Sequence, residues 1–267
     1  MLELYQFELS QYSEKVRFLL DYKGLDYRKI EVTPGVGQVE IFQMSGQRQV
    51  PVLKDGETIV ADSTEIAMYL ERTYPERPLI PTAAKEKGLT LLMEEWADES
   101  IGLKSRKAFI GALNRNEALR TAILPPDTPD FVKSIVSAIP ADLLDVIGSS
   151  VGIGGDALKA IEGSLKQDLE ALCLILQEQP YLTGATPTLA DFTVAGLSLL
   201  LKFPDKSYLD LPDQLAGKAL PSIGDNPAFE PFFTWRDRLY SEYRQATVST
   251  STRPSDSTNA PSSIEIE

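Results

Sequence analysis

The spacing of apolar residues near the start of the chain predicts strands and helices in alternation. Short apolar-rich runs at residues 2–7 and 27–32 predict two strands. Residues 13–23 between them carry apolar side chains at helical spacing, and Gly24 follows as a typical residue after a helix. These first elements therefore predict a strand-helix-strand unit.

The next segment predicts a hairpin between two helices. A short helix is predicted at residues 39–44 and a longer one at 63–73. Strands at 51–54 and 58–60 flank Asp55-Gly56, which is a strong signal for a tight turn. The complete order, strand-helix-strand-helix-strand-strand-helix, is typical of a thioredoxin-like domain.

The rest of the chain has helical patterns only. Residues 74–82 hold three prolines without a period and predict a linker, and residues 84–114 predict either one long helix or two. Thr188 and Asp191 have the spacing of a capping box. A helix at 157–177 has an apolar face, formed by Ile161, Leu165, Leu169, Leu172 and Leu176.

Composition excludes several kinds of chemistry. The chain has no histidine and one cysteine, Cys173, which excludes Ser-His-Asp and Cys-His catalysis, ordinary zinc sites and an intrachain disulfide. The formal charge of −13 argues against nucleic acids as partners. Because no apolar run approaches the ~20 residues of a membrane span, and no signal peptide is visible, we expect a soluble, cytoplasmic protein.

Two features after the first strands indicate a peptide-binding site. Val50-Pro51 is a candidate cis peptide, which would leave the backbone groups of Val50 free to pair with an extended peptide. Asp62-Ser63 opens a predicted helix, and the free amides and dipole of a helix N-terminus bind carboxylates. Together they predict a site for a small acidic peptide.

The sequence resembles the cytosolic glutathione transferases. Each matching motif is weak alone, but their common order is specific. The motifs are Ser10-Gln11-Tyr12-Ser13, Gln49-Val50-Pro51, Asp62-Ser63, Tyr181-Leu182-Thr183-Gly184 and Thr188-Leu189-Ala190-Asp191-Phe192.

This resemblance implies an α/β thioredoxin-like domain at residues 1–75, which binds glutathione, and an all-α domain at 83–245. Residues 116–156 do not fit a typical member, so we interpret them as an insertion in the helical domain. Its apolar residues Phe131, Ile135, Val136, Ile139, Leu143 and Leu144 pack onto the helical core or form a binding surface. Residues 246–267 are rich in serine and threonine and are expected to be a disordered tail.

The resemblance also implies the chemistry, in which a hydroxyl near the first helix stabilises the glutathione thiolate. Ser10 is the preferred donor, Tyr5 on the first strand is the rival, and Ser13 is either a third candidate or a plain helix cap. No cysteine lies near Ser10, which argues against a thiol-disulfide reductase.

The remaining glutathione contacts are assigned by the same resemblance. The expected binding residues are Ser13, Gln49, Val50, Pro51, Asp62 and Ser63. Lys29 or Arg48 faces the glycyl carboxylate or is simply a surface charge, and Asp98 contributes from the helical domain or is an ordinary exposed acid.

The resemblance further implies a homodimer in detoxification, with glutathione as co-substrate, a hydrophobic electrophile as second substrate and no metal. The alternative is a non-catalytic module of the same fold, which binds a ligand or a protein through the insertion.

Overall fold

The computed structural model describes residues 1–32, 37–123, 130–138, 155–212, 215 and 217–246. It consists of an N-terminal α/β domain and a C-terminal helical domain, so the predicted fold class is confirmed. No helix in these ranges is both long and apolar enough to cross a membrane.

The N-terminal domain has the predicted order of elements. Its elements are β1 (Leu2–Gln6), α1 (Gln11–Lys23), β2 (Tyr27–Glu31), α2 (Gly37–Ser45), β3 (Val52–Asp55), β4 (Thr58–Ala61) and α3 (Ser63–Thr73). The sheet order is β2-β1-β3-β4, with β2 parallel to β1 and the other neighbours antiparallel. Leu4 of β1 lies opposite Leu53 of β3, and both are fully buried beneath α1 and α3.

The regular elements in the described part of the second domain are helices and helical turns, and residues 198–212 and 217–226 form turns and irregular structure. Its elements are α4 (Ala84–Ala97), a π-helical turn (Asp98–Gly102), α5 (Leu103–Arg115), α6 (Glu117–Ala122), α7 (Asp130–Ser137), α8 (Gly155–Glu178), α9 (Leu189–Leu197), a 3-10 turn (Pro227–Phe229) and α10 (Glu230–Tyr243). The choice between one long helix and two at residues 84–114 is thus resolved, since a π-helical turn joins α4 and α5 without a break.

The two domains share one apolar core because α9 packs directly on α1. Gly196 permits this contact: a Cβ there would lie 2.6 Å from the amide nitrogen of Lys15. The predicted capping box starts α9, where Asp191 accepts a 2.8 Å hydrogen bond from the Thr188 amide and a 2.7 Å bond from the Leu182 amide. Burial raises the pKa of Asp191 to about 6 despite these bonds.

The proline-rich linker is packed rather than free. Leu79 is buried, its amide donates to both carboxylate oxygens of Glu71, and its carbonyl accepts from the Leu189 amide at 2.8 Å. Lys23 holds the start of the linker through the Tyr74 carbonyl at 2.8 Å. The predicted turn at Gly24 is also present, with φ of 68°.

Several predictions concern residues that fall outside the described ranges. Of the predicted insertion, residues 124–129 and 139–154 are not described, and neither are the side chains of Phe131 and Ile135. The predicted tail lies outside the described residues from position 247 onward. Cys173 is buried in α8, as expected, and burial raises its thiol pKa.

Candidate active site

The sheet topology brings the sequence motifs to one end of the N-terminal domain. Tyr5 of β1 lies opposite Val52 of β3, which lies opposite Ala61 of β4. The turn after β1, the loop before β3 and the start of α3 therefore meet at the same edge. Ser10, Val50 and Ser63 each belong to one of these three segments.

Ser10 is the N-cap of α1. Its backbone is extended, its amide closes the preceding turn on the Phe7 carbonyl at 2.8 Å, and its Oγ accepts from the Ser13 amide at 3.2 Å. Because this bond uses a lone pair of Oγ, the hydroxyl proton stays available for another acceptor. The side chain is half-buried at the mouth of the turn.

Ser13 does not cap α1, so the interpretation of Ser13 as a helix cap is wrong. The N-cap is Ser10, three residues earlier. Ser13 lies inside α1, is fully buried, and its hydroxyl has no hydrogen-bond partner among the described residues. Tyr5 packs against Val32, Ile41 and Val52 on the α2 side of the sheet. Tyr5 is thus partly buried in an apolar cluster of the sheet, whereas Ser10 is the N-cap of α1.

The Val50-Pro51 peptide is cis, as the sequence indicated. Val50 is half-buried, while Gln49 and Arg48 before it are exposed. The guanidinium of Arg48 lies 5.4 Å from the centre of the Phe42 ring. Gln49 and Val50 therefore line an accessible edge of the domain.

The start of α3 combines an unusual backbone with a buried hydroxyl. Asp62 has φ of 78°, which is uncommon for a residue other than glycine, and its carboxylate caps the amides of Thr64 at 2.9 Å and Glu65 at 3.2 Å. Ser63 is 2% exposed and its Oγ has no hydrogen-bond partner among the described residues. A buried polar atom without a partner is costly unless a ligand or water satisfies it.

A buried ionic cluster adjoins this helix at the domain interface. Nζ of Lys15, a residue with no exposed surface, donates to Glu94 at 2.5 Å, to Asp98 at 2.9 Å and to the Thr64 hydroxyl at 3.1 Å. The Thr64 hydroxyl in turn donates to the Glu94 carboxylate at 2.7 Å. The cluster joins α1 and α3 to α4 next to Ser63.

Asp98 is not an ordinary exposed acid, which corrects the more conservative interpretation of its sequence context. It is half-buried at the start of the π-helical turn, and burial raises the pKa of its carboxyl group although Lys15 opposes the shift. The sequence analysis did not predict the ionic cluster around Lys15. One signal was available: Lys15 lies four residues before Leu19, on the buried face of α1.

Lys29, a candidate for the glycyl carboxylate, forms an ion pair within the protein. Its Nζ lies 3.3 Å from Oε1 of Glu8, in the turn between β1 and α1. Glu8 also accepts from the Asp210 amide at 3.0 Å, so this turn contacts the helical domain as well.

An apolar region lies beside the same turn. Leu9 packs against a cluster from the helical domain, which comprises Phe109, Leu199, Leu200, Phe203, Leu209, Leu211 and Leu215. Leu119 of α6 packs on this cluster and also lines a cavity of about 900 Å³ with Arg115 and Lys218 at its wall. The turn that carries Ser10 therefore stands between the sheet edge and an apolar region.

Comparison with known proteins finds similarity in the N-terminal domain. Residues 4–78 match the family model described as "Glutathione S-transferase, N-terminal domain". A zeta-class glutathione S-transferase of Euphorbia esula is 38% identical over 91 residues, which are 33% of this chain and 40% of that protein. This match thus spans about two-fifths of the relative's length.

Longer matches extend to the helical domain at lower identity. The glutathione S-transferase TCHQD of Arabidopsis thaliana is 26% identical over 225 residues, 80% of each chain. The crystal structure of a glutathione S-transferase from Rhodospirillum rubrum F11 matches with a TM-score of 0.62 and 21% identity, over 90% of this chain and 88% of that one. Residues 4–78 are therefore similar to the N-terminal domain of glutathione S-transferases, and the chain has the glutathione S-transferase fold over most of its length.

Proposed function

We propose that the chain is a serine-type glutathione transferase, which binds glutathione and transfers it to a hydrophobic electrophile. The observation that carries the proposal is the buried Ser63 hydroxyl at the N-terminus of α3, which has no hydrogen-bond partner in the part of the chain that the structure describes and lies on the sheet edge that also carries Ser10. The residues present at this edge fit a small peptide with carboxylates at its ends.

The γ-glutamyl end of glutathione binds at α3. Its carboxylate accepts hydrogen bonds from the Ser63 hydroxyl and from the amides of the first helical turn, where the helix dipole favours negative charge. Asp62 is exposed beside this position and attracts the ammonium group while its carboxylate also caps the helix. Asp98 adds negative charge from the helical domain.

The cysteinyl part pairs with the backbone of Val50, beside Pro51, and Gln49 reaches the peptide from the exposed loop. This pairing sets the thiol beside the turn after β1. The Ser10 hydroxyl then donates a hydrogen bond to the sulfur, which favours the thiolate over the thiol. The hydrogen bond that the Ser13 amide donates to the same Oγ makes the Ser10 hydroxyl a stronger hydrogen-bond donor.

The electrophile binds on the apolar side of the turn, near Leu9 and the cluster that Phe109 of α5 forms with apolar residues from the segment after α9. The insertion contributes to this side. Arg120 on α6 donates to the carbonyls of Leu113 at 3.2 Å and Ser137 at 3.4 Å, which joins the ends of α5 and α7. Helices α6 and α7 thereby form one wall beside the second-substrate region.

Replacing Ser63 with alanine weakens glutathione binding by about 10-fold or more, because one charge-assisted hydrogen bond is lost. The free energy of unfolding changes little, since the hydroxyl has no partner among the described residues. Isothermal titration calorimetry with glutathione and urea unfolding measure the two quantities. The matched control is Ser241→Ala, whose exposed hydroxyl lies on α10.

Equal affinity of the wild type and Ser63→Ala would contradict this role of Ser63. Absence of glutathione binding in the wild type would instead favour the non-catalytic module of the same fold.

The chain forms a homodimer in this proposal, through apolar residues exposed on α4 and β4. Leu92 is 66% exposed and Leu89 is 39% exposed on α4, and Ile59 is 40% exposed on β4. Leu92→Asp shifts the protein from dimer to monomer in analytical ultracentrifugation, because a charge cannot be buried unpaired in an apolar interface. Leu174 on α8 is 63% exposed, and the control variant Leu174→Asp leaves the mass of the dimer unchanged. A monomeric wild type would refute the dimer.

A further inference from the structure

The turn that carries Ser10 is held by buried ion pairs that the proposed function does not use. Arg17 of α1 has no exposed side-chain surface. Its Nη2 donates to the Glu8 carbonyl at 3.0 Å and its Nη1 lies 3.2 Å from the Glu8 carboxylate. Nη1 also hydrogen-bonds the side chain of Gln6. Arg17 thereby fixes the backbone two residues before Ser10.

The same arginine continues to a buried carboxylate. Arg17 Nε donates to Glu14 at 2.5 Å, and the other oxygen of Glu14 accepts from Arg244 Nε at 2.9 Å. Arg244 follows the end of α10, and it also pairs with Asp21 and donates to the Tyr208 carbonyl at 3.3 Å. Burial opposes ionisation of Glu14, but the two arginines keep its pKa below the usual value.

The position of Glu14 makes this pairing matter for Ser10. The Glu14 amide donates to the Ser10 carbonyl at 2.9 Å, so the backbone of Glu14 lies one helical turn after Ser10. An unpaired carboxylate at this point would oppose both the helix dipole and a thiolate at Ser10. Two buried guanidinium groups remove that opposition.

We propose that Arg244 and Arg17 are positioning residues, which neutralise Glu14 and fix the turn of Ser10, so that the end of the last helix sets how readily the bound thiol ionises. This inference rests on the proposed function of Ser10. Neither arginine touches substrate, and both act through Glu14 and Glu8.

Other charged and titratable groups also face this network and are retained in the variants below. They are Glu8, Asp21, Tyr27, Lys29, Arg236 and Tyr240.

The test is the pH dependence of the ultraviolet absorbance of thiolate in the glutathione complex. Arg244→Gln shifts the midpoint upward by about 0.5–1 pH unit, because Glu14 keeps only one of its two cations. Glu14→Gln shifts it downward, because two arginines then face no carboxylate at that position. A role in folding alone would not give shifts of opposite sign.

Three further variants complete the design. Arg244→Gln combined with Glu14→Gln returns the midpoint toward the wild-type value, and Arg244→Lys, which keeps the charge, retains it. Arg238→Gln removes an arginine of α10 that binds the Pro180 carbonyl outside the network, and leaves the midpoint unchanged. Thermal unfolding identifies any variant that does not fold. If Arg244→Gln does not fold, the inference is tested by the midpoints of Glu14→Gln, which is expected to shift downward, and of Arg244→Lys, which is expected to stay unchanged.

Unshifted midpoints, or shifts of the same sign in Arg244→Gln and Glu14→Gln, would overturn the inference alone. A wild-type complex without thiolate would refute the proposed function instead.

Discussion

Replacing Ser10 with asparagine lowers kcat/KM for glutathione conjugation by about 10²–10³-fold and leaves the free energy of unfolding nearly unchanged. Asparagine caps a helix as well as serine does, so the bond from the Ser13 amide is preserved. It lacks the hydroxyl that donates a hydrogen bond to the sulfur in the proposed mechanism, and its Nδ2 group donates from a different position and more weakly. Steady-state kinetics with an aryl chloride and urea unfolding measure the two effects.

Two companion variants separate the effect of losing the Ser10 hydroxyl on activity from the effect of losing the helix cap on stability. Ser10→Ala loses both and is destabilised by about 1 kcal/mol in addition to losing activity. Ser10→Thr retains the hydroxyl and recovers most of the activity. Tyr5→Phe serves as the control for the rival donor: a loss confined to Tyr5→Phe, with full activity in Ser10→Asn, would transfer the role to Tyr5.

Replacing Lys15 with methionine lowers the free energy of unfolding by about 3–5 kcal/mol at neutral pH. The substitution leaves the carboxylates of Glu94 and Asp98 in the domain interface without their shared cation. Removing one partner of a buried ion pair costs more than the pair contributes, because the remaining charge stays desolvated. Urea unfolding followed by circular dichroism measures the loss.

The pH dependence of this loss has a defined sign. Burial already raises the pKa of Asp98 in the folded protein, and removal of Lys15 raises it further. A carboxyl group with a raised folded pKa binds its proton more tightly when folded, so its ionisation destabilises the fold as pH rises through that range. The deficit of Lys15→Met therefore shrinks as the pH falls from neutral toward the raised pKa of Asp98.

Lys159→Met is the matched control for the same change of charge. Lys159 and Asp156 form an exposed pair at 3.9 Å on α8, and such pairs contribute less than about 1 kcal/mol. Equal losses in both variants, or a deficit that grows on acidification, would contradict the assignment of Lys15 to a buried cluster.

Local signals in the sequence were sufficient for the order of elements and for most helix ends. Asp55-Gly56 formed the predicted turn between β3 and β4, and the capping box at Thr188 started α9 where expected. These features involve residues within four positions of one another. Their hydrogen bonds form in the same way whatever the rest of the chain does.

The start of α1 shows where local signals are ambiguous. Ser10 and Ser13 are both good capping residues, and only the backbone conformation, extended at Ser10, decides between them. Burial then gives the two hydroxyls different environments. Ser10 remains half-buried at the turn, whereas Ser13 is enclosed in the domain.

The sequence by itself determined the alternation of elements, the available hydroxyl groups and the absence of histidine chemistry, because these depend on residue identity and on short-range spacing. Only the tertiary structure decided which charges are buried and with what partners. Lys15 meets Glu94 and Asp98 across about 80 residues, and Glu14 meets Arg244 across 230. Such pairs form because the packing of the two domains excludes water from their interface. Short-range spacing along the sequence does not show which side chains this interface will enclose.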